Sequence, residues 1–251
     1  MSIMSAFAKY YDLLLDGVDY PKIADFIECM IRKYAPTARN IVDVSCGTGT
    51  LAVELAGRGY DVTASDISDD MLSLAFDKAQ KAKAKILFLN QNMRDLTLSV
   101  QTDVIISTLD STNCLIGSGD IDRYFYSVSQ NLVPGGLFIF DVNTEYQFEQ
   151  IYADNDYVLE ADGVMLAWRN FYDSKQRKCH FDLSFFCKEE DGRYTRIDEY
   201  QCERLYSDRF LKTTLRKYGF DQIEIFSDLN GSGVGTADRR HYFVAKKNCE
   251  K

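Results

Sequence analysis

A glycine-bearing turn followed at a distance by a carboxylate is the clearest chemical signal in the sequence. The run IVDVSCGTGT at residues 41–50 is typical of a buried strand that breaks into a turn, and Gly47, Gly49 and Ala52 satisfy the GxGxxG/A spacing of dinucleotide-binding turns. Asp66 follows Gly47 by 19 residues, at the end of a second predicted strand. A carboxylate in that place accepts hydrogen bonds from both ribose hydroxyls. The pattern predicts an adenosine cofactor, and by itself it suits NAD nearly as well as any other.

A second group of polar residues follows the fourth predicted strand, in the run LDSTNCLI. From this position the side chains of Asp110, Ser111 and Asn113 can point toward a bound substrate. Asp110 is the candidate catalytic residue because an aspartate can hold an amine or take its proton, and the alternative is that it caps a helix or turn. His180 and His241 lie far apart in strand-like runs, so neither indicates a catalytic pair or a metal site.

Charge and cysteine usage narrow the function classes. The 251 residues carry a formal net charge of -9 without a long basic block, which does not favour nucleic-acid binding. The 7 cysteines include no CxxC pair, so we expect neither a zinc site nor a disulfide framework, and we expect a cytoplasmic protein. No stretch approaches the roughly 20 apolar residues that span a bilayer, which predicts that no membrane partner is involved.

The candidate residues require a sheet whose strands end at one edge. From residue 40 the sequence predicts the strand NIVDVS, a helix closed by Gly57 and Gly59, and the strand YDVTASD, an order that favours parallel strands and right-handed crossovers. KILFLN, TDVIISTLD and LFIFDVN continue the sheet, with VPGG as a turn before the last of them, and DQIEIFSDL and RHYFVAKK close it. The helical spacing of apolar residues in 5–34 predicts helices. Three hairpin-like runs within 150–206 predict an inserted antiparallel sheet.

Two motifs, VDVSCGTGT and LVPGGLFIFD, resemble those of the class I S-adenosylmethionine-dependent methyltransferases. Over nearly the whole chain, the sequence is similar to a subfamily of small bacterial methyltransferases of unassigned substrate, at FAKYYDLLL, at DISDDMLSLA and at QNM-like and DSTN-like steps. The resemblance implies an α/β fold with a Rossmann-like, seven-stranded, mostly parallel sheet whose final strand is antiparallel. N-terminal helices in residues 1–35 would cover the cofactor site, residues 36–149 and 207–251 would form the core, and the antiparallel sheet of residues 150–206 would be a lid.

S-adenosyl-L-methionine is the cofactor that the resemblance implies. Asp66 would hold the ribose, Ile67 and Met93 would sandwich the adenine, and Asn92 would meet its edge. Many relatives have aspartate at position 92; asparagine can still accept there and can also donate to a ring nitrogen, and the alternative is that it caps its own backbone. The predicted cofactor-binding residues are Tyr11, Ser45, Cys46, Gly47, Gly49, Asp66, Ile67, Asn92, Met93 and Leu109.

The insertion would roof the acceptor pocket, so Trp168 and Arg169 join Ser111 and Asn113 as predicted substrate contacts. The alternative for the first two is sheet packing and a solvated arginine. The predicted reaction is in-line methyl transfer to an N or O nucleophile of a small molecule, without a metal, in a monomer or homodimer. Three alternatives stay open: an NAD-dependent oxidoreductase, an RNA or protein methyltransferase, and a non-catalytic cofactor-binding protein of the same fold.

Overall fold

The structure is a computed structural model that describes residues 6–14, 17–161 and 163–249. Two sheets organise these residues. A seven-stranded sheet forms the core, and a four-stranded antiparallel sheet lies in the chain between its fifth and sixth strands. This arrangement confirms the predicted fold class.

The core sheet is parallel except for one strand. Its strands are β1 (Asn40–Val44), β2 (Asp61–Asp66), β3 (Ile86–Asn90), β4 (Thr102–Ser107), β5 (Leu132–Asn143), β10 (Phe220–Phe226) and β11 (Arg240–Lys247). They are arranged β10-β11-β5-β4-β1-β2-β3, and β11 runs antiparallel to both of its neighbours. The chain builds outward from β1 to β3 and then returns to place β4 on the other side of β1. The direction of winding therefore reverses between β1 and β4, where open α/β sheets bind their ligands.

Helices cover both faces of this sheet. They are α1 (Ala6–Leu14), α2 (Tyr20–Tyr34), α3 (Thr50–Gly57), α4 (Asp69–Ala82), α5 (Asp120–Asn131) and α6 (Asp208–Lys217). Apolar residues of α2 and α3 pack on one face, and those of α5 and α6 pack on the other. Among the described residues, no helix is long and apolar enough to cross a membrane.

Serine side chains cap the starts of α4 and α6. Ser68 accepts a hydrogen bond from the backbone of Met71 at the start of α4, and Ser207 accepts one from Phe210 at the start of α6. Such caps satisfy backbone donors that have no partner within the helix. A further contact holds α6 to β11, because the His241 ring lies 3.1 Å from the carboxylate of Asp208 and 3.3 Å from that of Asp238.

The predicted turn VPGG is part of a strand in the structure. β5 begins at Leu132, which pairs with Thr102, and the next paired residues are Leu137 and Val104. Residues 133–136 therefore stand opposite Asp103 as a bulge, and Gly135 adopts the positive φ of 77° that the bend requires. The chain does bend at VPGG as predicted, but the bend lies within β5, and pairing with β4 resumes at Leu137.

The second sheet has one strand more than the three predicted hairpin-like runs. It consists of β6 (Asp156–Ala161), β7 (Val164–Asp173), β8 (Lys178–Lys188) and β9 (Tyr194–Arg204), in that order. The sequence analysis missed β6 because it is an edge strand with apolar side chains in solvent: Val158 is 68% exposed and Leu159 is 42% exposed. On β8 every second residue is buried on one face of the sheet, at Cys179, Phe181, Leu183, Phe185 and Cys187.

Candidate cofactor and acceptor site

A cavity of about 560 Å³ opens at the carboxyl ends of β1 and β4, where the winding of the sheet reverses. The structure brings residues from six separate parts of the described chain to its walls. The predicted site residues among them are Tyr11, Ser45, Gly47, Asp66, Ile67, Asn92, Met93, Leu109, Asp110 and Ser111.

The loop after β1 has a left-handed backbone at alternate positions. Ser45, Gly47 and Gly49 have φ values of 61°, 54° and 73°. A Cβ on Gly47 would lie 3.3 Å from the ring of Tyr11, whereas a Cβ on Gly49 would lie 2.8 Å from the Cβ of Ala75. Gly47 thus lets α1 approach the loop. Gly49 lines neither this cavity nor the smaller one beside it, and its lack of a side chain serves the packing of α3 against α4, which corrects its predicted place among the cofactor contacts.

Asp66 links the glycine loop to the start of α4. One carboxylate oxygen accepts from the Gly47 backbone at 2.9 Å, and the other accepts from the Ser68 backbone at 2.9 Å. Burial raises the pKa of Asp66 and these backbone donors oppose the rise. Because a carboxylate offers about four lone-pair sites, each oxygen retains one for a ribose hydroxyl. The geometry fits the predicted role of Asp66.

The side of the cavity where the sequence analysis expects an adenine has an exposed apolar wall and a buried one. Ile67 is 65% exposed although it lines the cavity, and Met93 is 8% exposed. Asn92 caps the short helical turn that follows it. Its Oδ1 accepts hydrogen bonds from the backbone nitrogen of Arg94 at 3.0 Å and from the side-chain Nε of Arg94 at 3.2 Å. The alternative interpretation of Asn92 therefore holds for Oδ1. Contact with a ligand falls to the Nδ2 group, which can donate to a ring nitrogen but cannot accept from an amine.

Helix α1 lies over the glycine loop and is fastened to it. The Asp12 carboxylate accepts from the Thr48 hydroxyl at 2.5 Å and pairs with Lys78 at 2.8 Å. Tyr11 lines the cavity from the same helix, and burial raises its pKa well above the usual value, so that the phenol stays neutral. In the described residues, α1 contributes to the cavity wall, whereas α2 packs against the core.

A smaller cavity of about 170 Å³ adjoins the first and shares Tyr11, Leu109, Asp110 and Glu203 with it. Its other walls are mostly aromatic or aliphatic side chains of the second sheet and the segment before it: Tyr152, Leu166, Trp168, Phe181 and Leu183. The buried indole nitrogen of Trp168 has no hydrogen-bond partner in the part of the chain that the structure describes. The position of Trp168 fits its predicted contact with an acceptor.

A network of charged groups closes one end of the smaller cavity. Arg240 bonds to Asp141 at 2.5 Å and to Asp110 at 3.0 Å. Asp141 also accepts from the backbone nitrogens of Leu109 and Asp110, both of which have left-handed φ values. These four contacts position the Asp110 side chain and explain the sharp turn that follows β4.

Asn143 and Glu203 complete this network. The Asn143 side-chain nitrogen lies 2.9 Å from Asp110 Oδ2 and 2.9 Å from Glu203 Oε2. Burial, and then the negative charge of Asp110, raise the pKa of Glu203 well above its usual value, which the hydrogen bond from Asn143 and the charge of Arg240 only partly oppose.

Three further predicted residues line neither cavity. Asn113 is fully buried and bonds to the Arg204 carbonyl and the Asn143 backbone, so it ties β5 and β9 together. Arg169 is exposed on β7, as expected from its alternation with Trp168. The Cys46 thiol turns toward the core and burial raises its pKa, so a contact of Cys46 with a cofactor is limited to its backbone.

Sequence reasoning missed several residues that the structure places at the site: Phe7, Arg94, Tyr152, Phe181, Glu203 and Arg240. Phe7 carried a usable signal, because it stands one helical turn before Tyr11 and so shares its face. Arg240 and Glu203 carried none, since each is a charged residue in an otherwise ordinary strand pattern and reaches the cavity only through sheet pairing.

Comparisons with known proteins agree with this geometry. A family model described as a methyltransferase domain matches residues 41–136. A methyltransferase-family protein of Geobacillus sp. (strain WCH70) is 32% identical, over 96% of this chain and 98% of its own. A crystal structure of an S-adenosylmethionine-dependent methyltransferase from Clostridium acetobutylicum ATCC 824 superposes with a TM-score of 0.88 at 30% identity, covering 96% of this chain and 98% of that one. A Streptomyces venezuelae enzyme named dTDP-3-amino-3,4,6-trideoxy-alpha-D-glucopyranose N,N-dimethyltransferase is 28% identical over 59% of this chain and 60% of its own.

Proposed function

The chain belongs to the S-adenosylmethionine-dependent methyltransferases, and from this premise we propose that it methylates a small molecule held in the aromatic cavity between α1, the turn after β4 and the second sheet. S-adenosylmethionine is the cofactor of this family and supplies an electrophilic methyl group on a sulfonium. The observation that carries the proposal is that the two cavities share Tyr11, Leu109 and Asp110 as walls. A cofactor in the larger cavity and an acceptor in the smaller one would meet at these residues.

The cofactor has a residue set that fits each of its parts. Asp66 offers lone pairs for the ribose hydroxyls, and the face between Ile67 and Met93 is apolar, as an adenine ring requires. The loop at Ser45 and Gly47 brings backbone close to the cavity because both residues have positive φ. These residues would bind and orient the cofactor at the larger cavity, beside the acceptor.

The protein's contribution to the reaction is orientation and the exclusion of water. Displacement at a methyl carbon requires nucleophile, carbon and leaving group to lie in line, and fixing that geometry supplies a large part of the rate enhancement. The rings of Tyr11 and Trp168 close the smaller cavity from two sides. A solvent-excluded cavity also strengthens the electrostatic contacts made by Asp110.

The size of the acceptor cavity supports a small molecule over RNA or protein. About 170 Å³ between α1 and the second sheet has room for one functional group and its neighbours, while a macromolecular acceptor would need an open face. The net charge of -9 also repels a polyanion such as RNA. Both observations favour the low-molecular-weight acceptor.

The test is to follow the methyl group. Protein and S-adenosylmethionine carrying a tritiated methyl are incubated separately with a low-molecular-weight cell extract, with total RNA and with a protein fraction. We expect the label in the low-molecular-weight fraction, and an Asp66→Ala variant, which lacks the ribose contact, should transfer far less. Label incorporated into RNA or protein alone would refute the proposal.

A further inference from the structure

Asp110 and Glu203 meet at one end of the acceptor cavity although they come from distant parts of the chain. Both line the larger and the smaller cavity, and both accept a hydrogen bond of 2.9 Å from the same nitrogen, Nδ2 of Asn143. An amide nitrogen has two hydrogens, so it can donate one to each carboxyl group. Asp110 accepts its side-chain hydrogen bonds at Oδ2, and Glu203 accepts its own at Oε2. The second oxygen of each carboxyl group, Oδ1 or Oε1, has no donor among the described residues.

The charges around the pair do not cancel. Arg240 supplies one positive charge and bonds to two carboxylates, those of Asp110 and Asp141. When both aspartates are ionised, one negative charge is left over even if Glu203 carries its proton. A cationic group that binds here is attracted by this charge, and an anionic group is repelled.

The rest of the cavity also suits a cation. The walls that face the carboxyl pair include the rings of Tyr11, Tyr152, Trp168 and Phe181. Aromatic faces attract ammonium groups, and the attraction is stronger where water is excluded. An aromatic enclosure with a net negative end is the recognition chemistry of an amine.

We propose that Glu203 and Asp110 together hold the nitrogen of a small primary or secondary amine in front of the cofactor's methyl group, so that the reaction is an N-methylation. This inference rests on the proposed function and specifies its acceptor. Glu203 is a substrate-contacting residue in this proposal, and Asn143 positions the two carboxyl groups.

The pair accounts for the proton that N-methylation must move. An amine enters as an ammonium ion, and its proton passes to a carboxylate of the pair, which frees the nitrogen lone pair. The N–C bond then forms as the C–S bond breaks; the sulfur keeps the bonding electrons and leaves as a neutral thioether, while the nitrogen becomes a methylated ammonium. An alkylammonium has a pKa near that of lysine, about 10.4, whereas an aliphatic hydroxyl resembles water at about 16. Proton transfer to a carboxylate is therefore less unfavourable from an alkylammonium than from an aliphatic alcohol, and the pair favours the amine over such an alcohol.

The first test identifies the methylated atom. S-adenosylmethionine carrying a trideuterated methyl is incubated with the protein and a small-molecule extract, and the labelled products are located by mass and fragmented to find the atom that carries the label. We expect the label on an amine nitrogen. Label found only on oxygen, carbon or sulfur would overturn the amine assignment while leaving the methyltransferase proposal standing; no labelled small molecule at all would count against both.

The second test measures recognition without turnover. Saturation-transfer difference NMR compares tert-butylammonium with tert-butanol, which has the same shape without the charge, on protein saturated with S-adenosylhomocysteine. We expect signal from the cation only, abolished in Glu203→Gln and Asp110→Asn and retained in Glu190→Gln, which removes an exposed acid elsewhere on the surface. Equal signals from both probes, no signal from either, or full signal in Glu203→Gln would contradict the proposal.

The variant also has a kinetic signature that a structural role would not produce. Glutamine keeps the shape of the neutral acid, so the dissociation constant for S-adenosylhomocysteine should change by less than about threefold, while kcat/KM for the identified amine should fall about a hundredfold. Because the substitution removes the carboxyl group whose pKa burial raises, the acidic limb of the kcat/KM profile should move to lower pH. The other titratable groups that face Glu203 are Asp110, Cys114, Asp141, Tyr152, Cys179, Cys202 and Arg240. An unchanged acidic limb would show that Glu203 is structural.

Discussion

Replacing Ser45 with glycine should leave the protein at least as stable as it is now. Ser45 has a φ of 61°, a left-handed conformation that costs a residue with a Cβ about 1–2 kcal/mol. Glycine removes that cost but gives up about 0.5–1 kcal/mol more backbone entropy on folding. The substitution also removes the Ser45 hydroxyl, whose hydrogen bond to the Met93 sulfur is weak at a distance of 3.5 Å. The expected net change is a gain of about 0–1.5 kcal/mol, which for a domain of this size raises Tm by up to about 5 °C.

Differential scanning fluorimetry and titration calorimetry with S-adenosylmethionine measure the two consequences of Ser45→Gly. The dissociation constant should change by less than about fivefold, because the small hydroxyl does not fill the loop. Gly47→Val is the contrasting variant: its φ is 54° and a Cβ would lie 3.3 Å from the ring of Tyr11, so a branched side chain should abolish binding. A Tm that falls by several degrees in Ser45→Gly, or tighter binding by Gly47→Val than by Ser45→Gly, would refute this account of the loop.

Three further predictions concern the surroundings of the site. Gly49→Ala should lower the free energy of unfolding in urea by about 2–4 kcal/mol, because residue 49 has a positive φ and its new Cβ would lie 2.8 Å from the Cβ of Ala75. Gly57→Ala is the control, since Gly57 lies in a helix with open space around it, and this change should be neutral or stabilising. Asp12→Asn should weaken S-adenosylmethionine binding about two- to fivefold and speed proteolysis within α1, since its ion pair is half exposed. Burial lowers the pKa of His241, but its two carboxylate neighbours outweigh burial, so the pKa is raised. The stabilising effect of His241 is therefore complete below pH about 6.5 and disappears as pH rises through the folded-state pKa. The difference in stability between the protein and its His241→Gln variant should shrink between pH 6 and 8.5. Equal stability of Gly49→Ala and Gly57→Ala would contradict the first prediction. Unchanged cofactor binding and proteolysis of Asp12→Asn would contradict the second, and a stability difference for His241→Gln that does not depend on pH would contradict the third.

The meeting of the glycine loop with Asp66 was predictable because neighbouring parallel strands place both. Gly47 lies in the turn that follows β1 and Asp66 is the last residue of β2, and parallel strands end at one edge, so their meeting follows from the periodicity alone. The same reasoning failed for Asn113, because a polar residue beside a predicted site can equally satisfy buried backbone groups, and the sequence does not distinguish the two.

The acceptor half was not predictable because it depends on contacts between elements far apart in the chain. Glu203 reaches the cavity only because β9 pairs with β8 and the sheet as a whole folds over β5. Arg240 reaches it because β11 inserts antiparallel between β10 and β5, so that the first residue of the strand pairs with Asn143. Neither register follows from an alternating pattern, which specifies a face but not a partner.

This division between the two halves has a consequence for how the acceptor is chosen. The residues that fit S-adenosylmethionine come from the core, whereas the aromatic wall at Trp168 and the acid at Glu203 come from the inserted sheet. Asp110 and Asn143 belong to the core and contact both halves. Changes in the insertion can therefore alter the shape and charge of the acceptor cavity while the cofactor contacts stay intact. A Trp168→Ala variant should accordingly have a weaker affinity for the acceptor, measured as a raised KM for the identified amine, with unchanged calorimetric binding of S-adenosylmethionine; a parallel weakening of both would show that the two halves are energetically coupled.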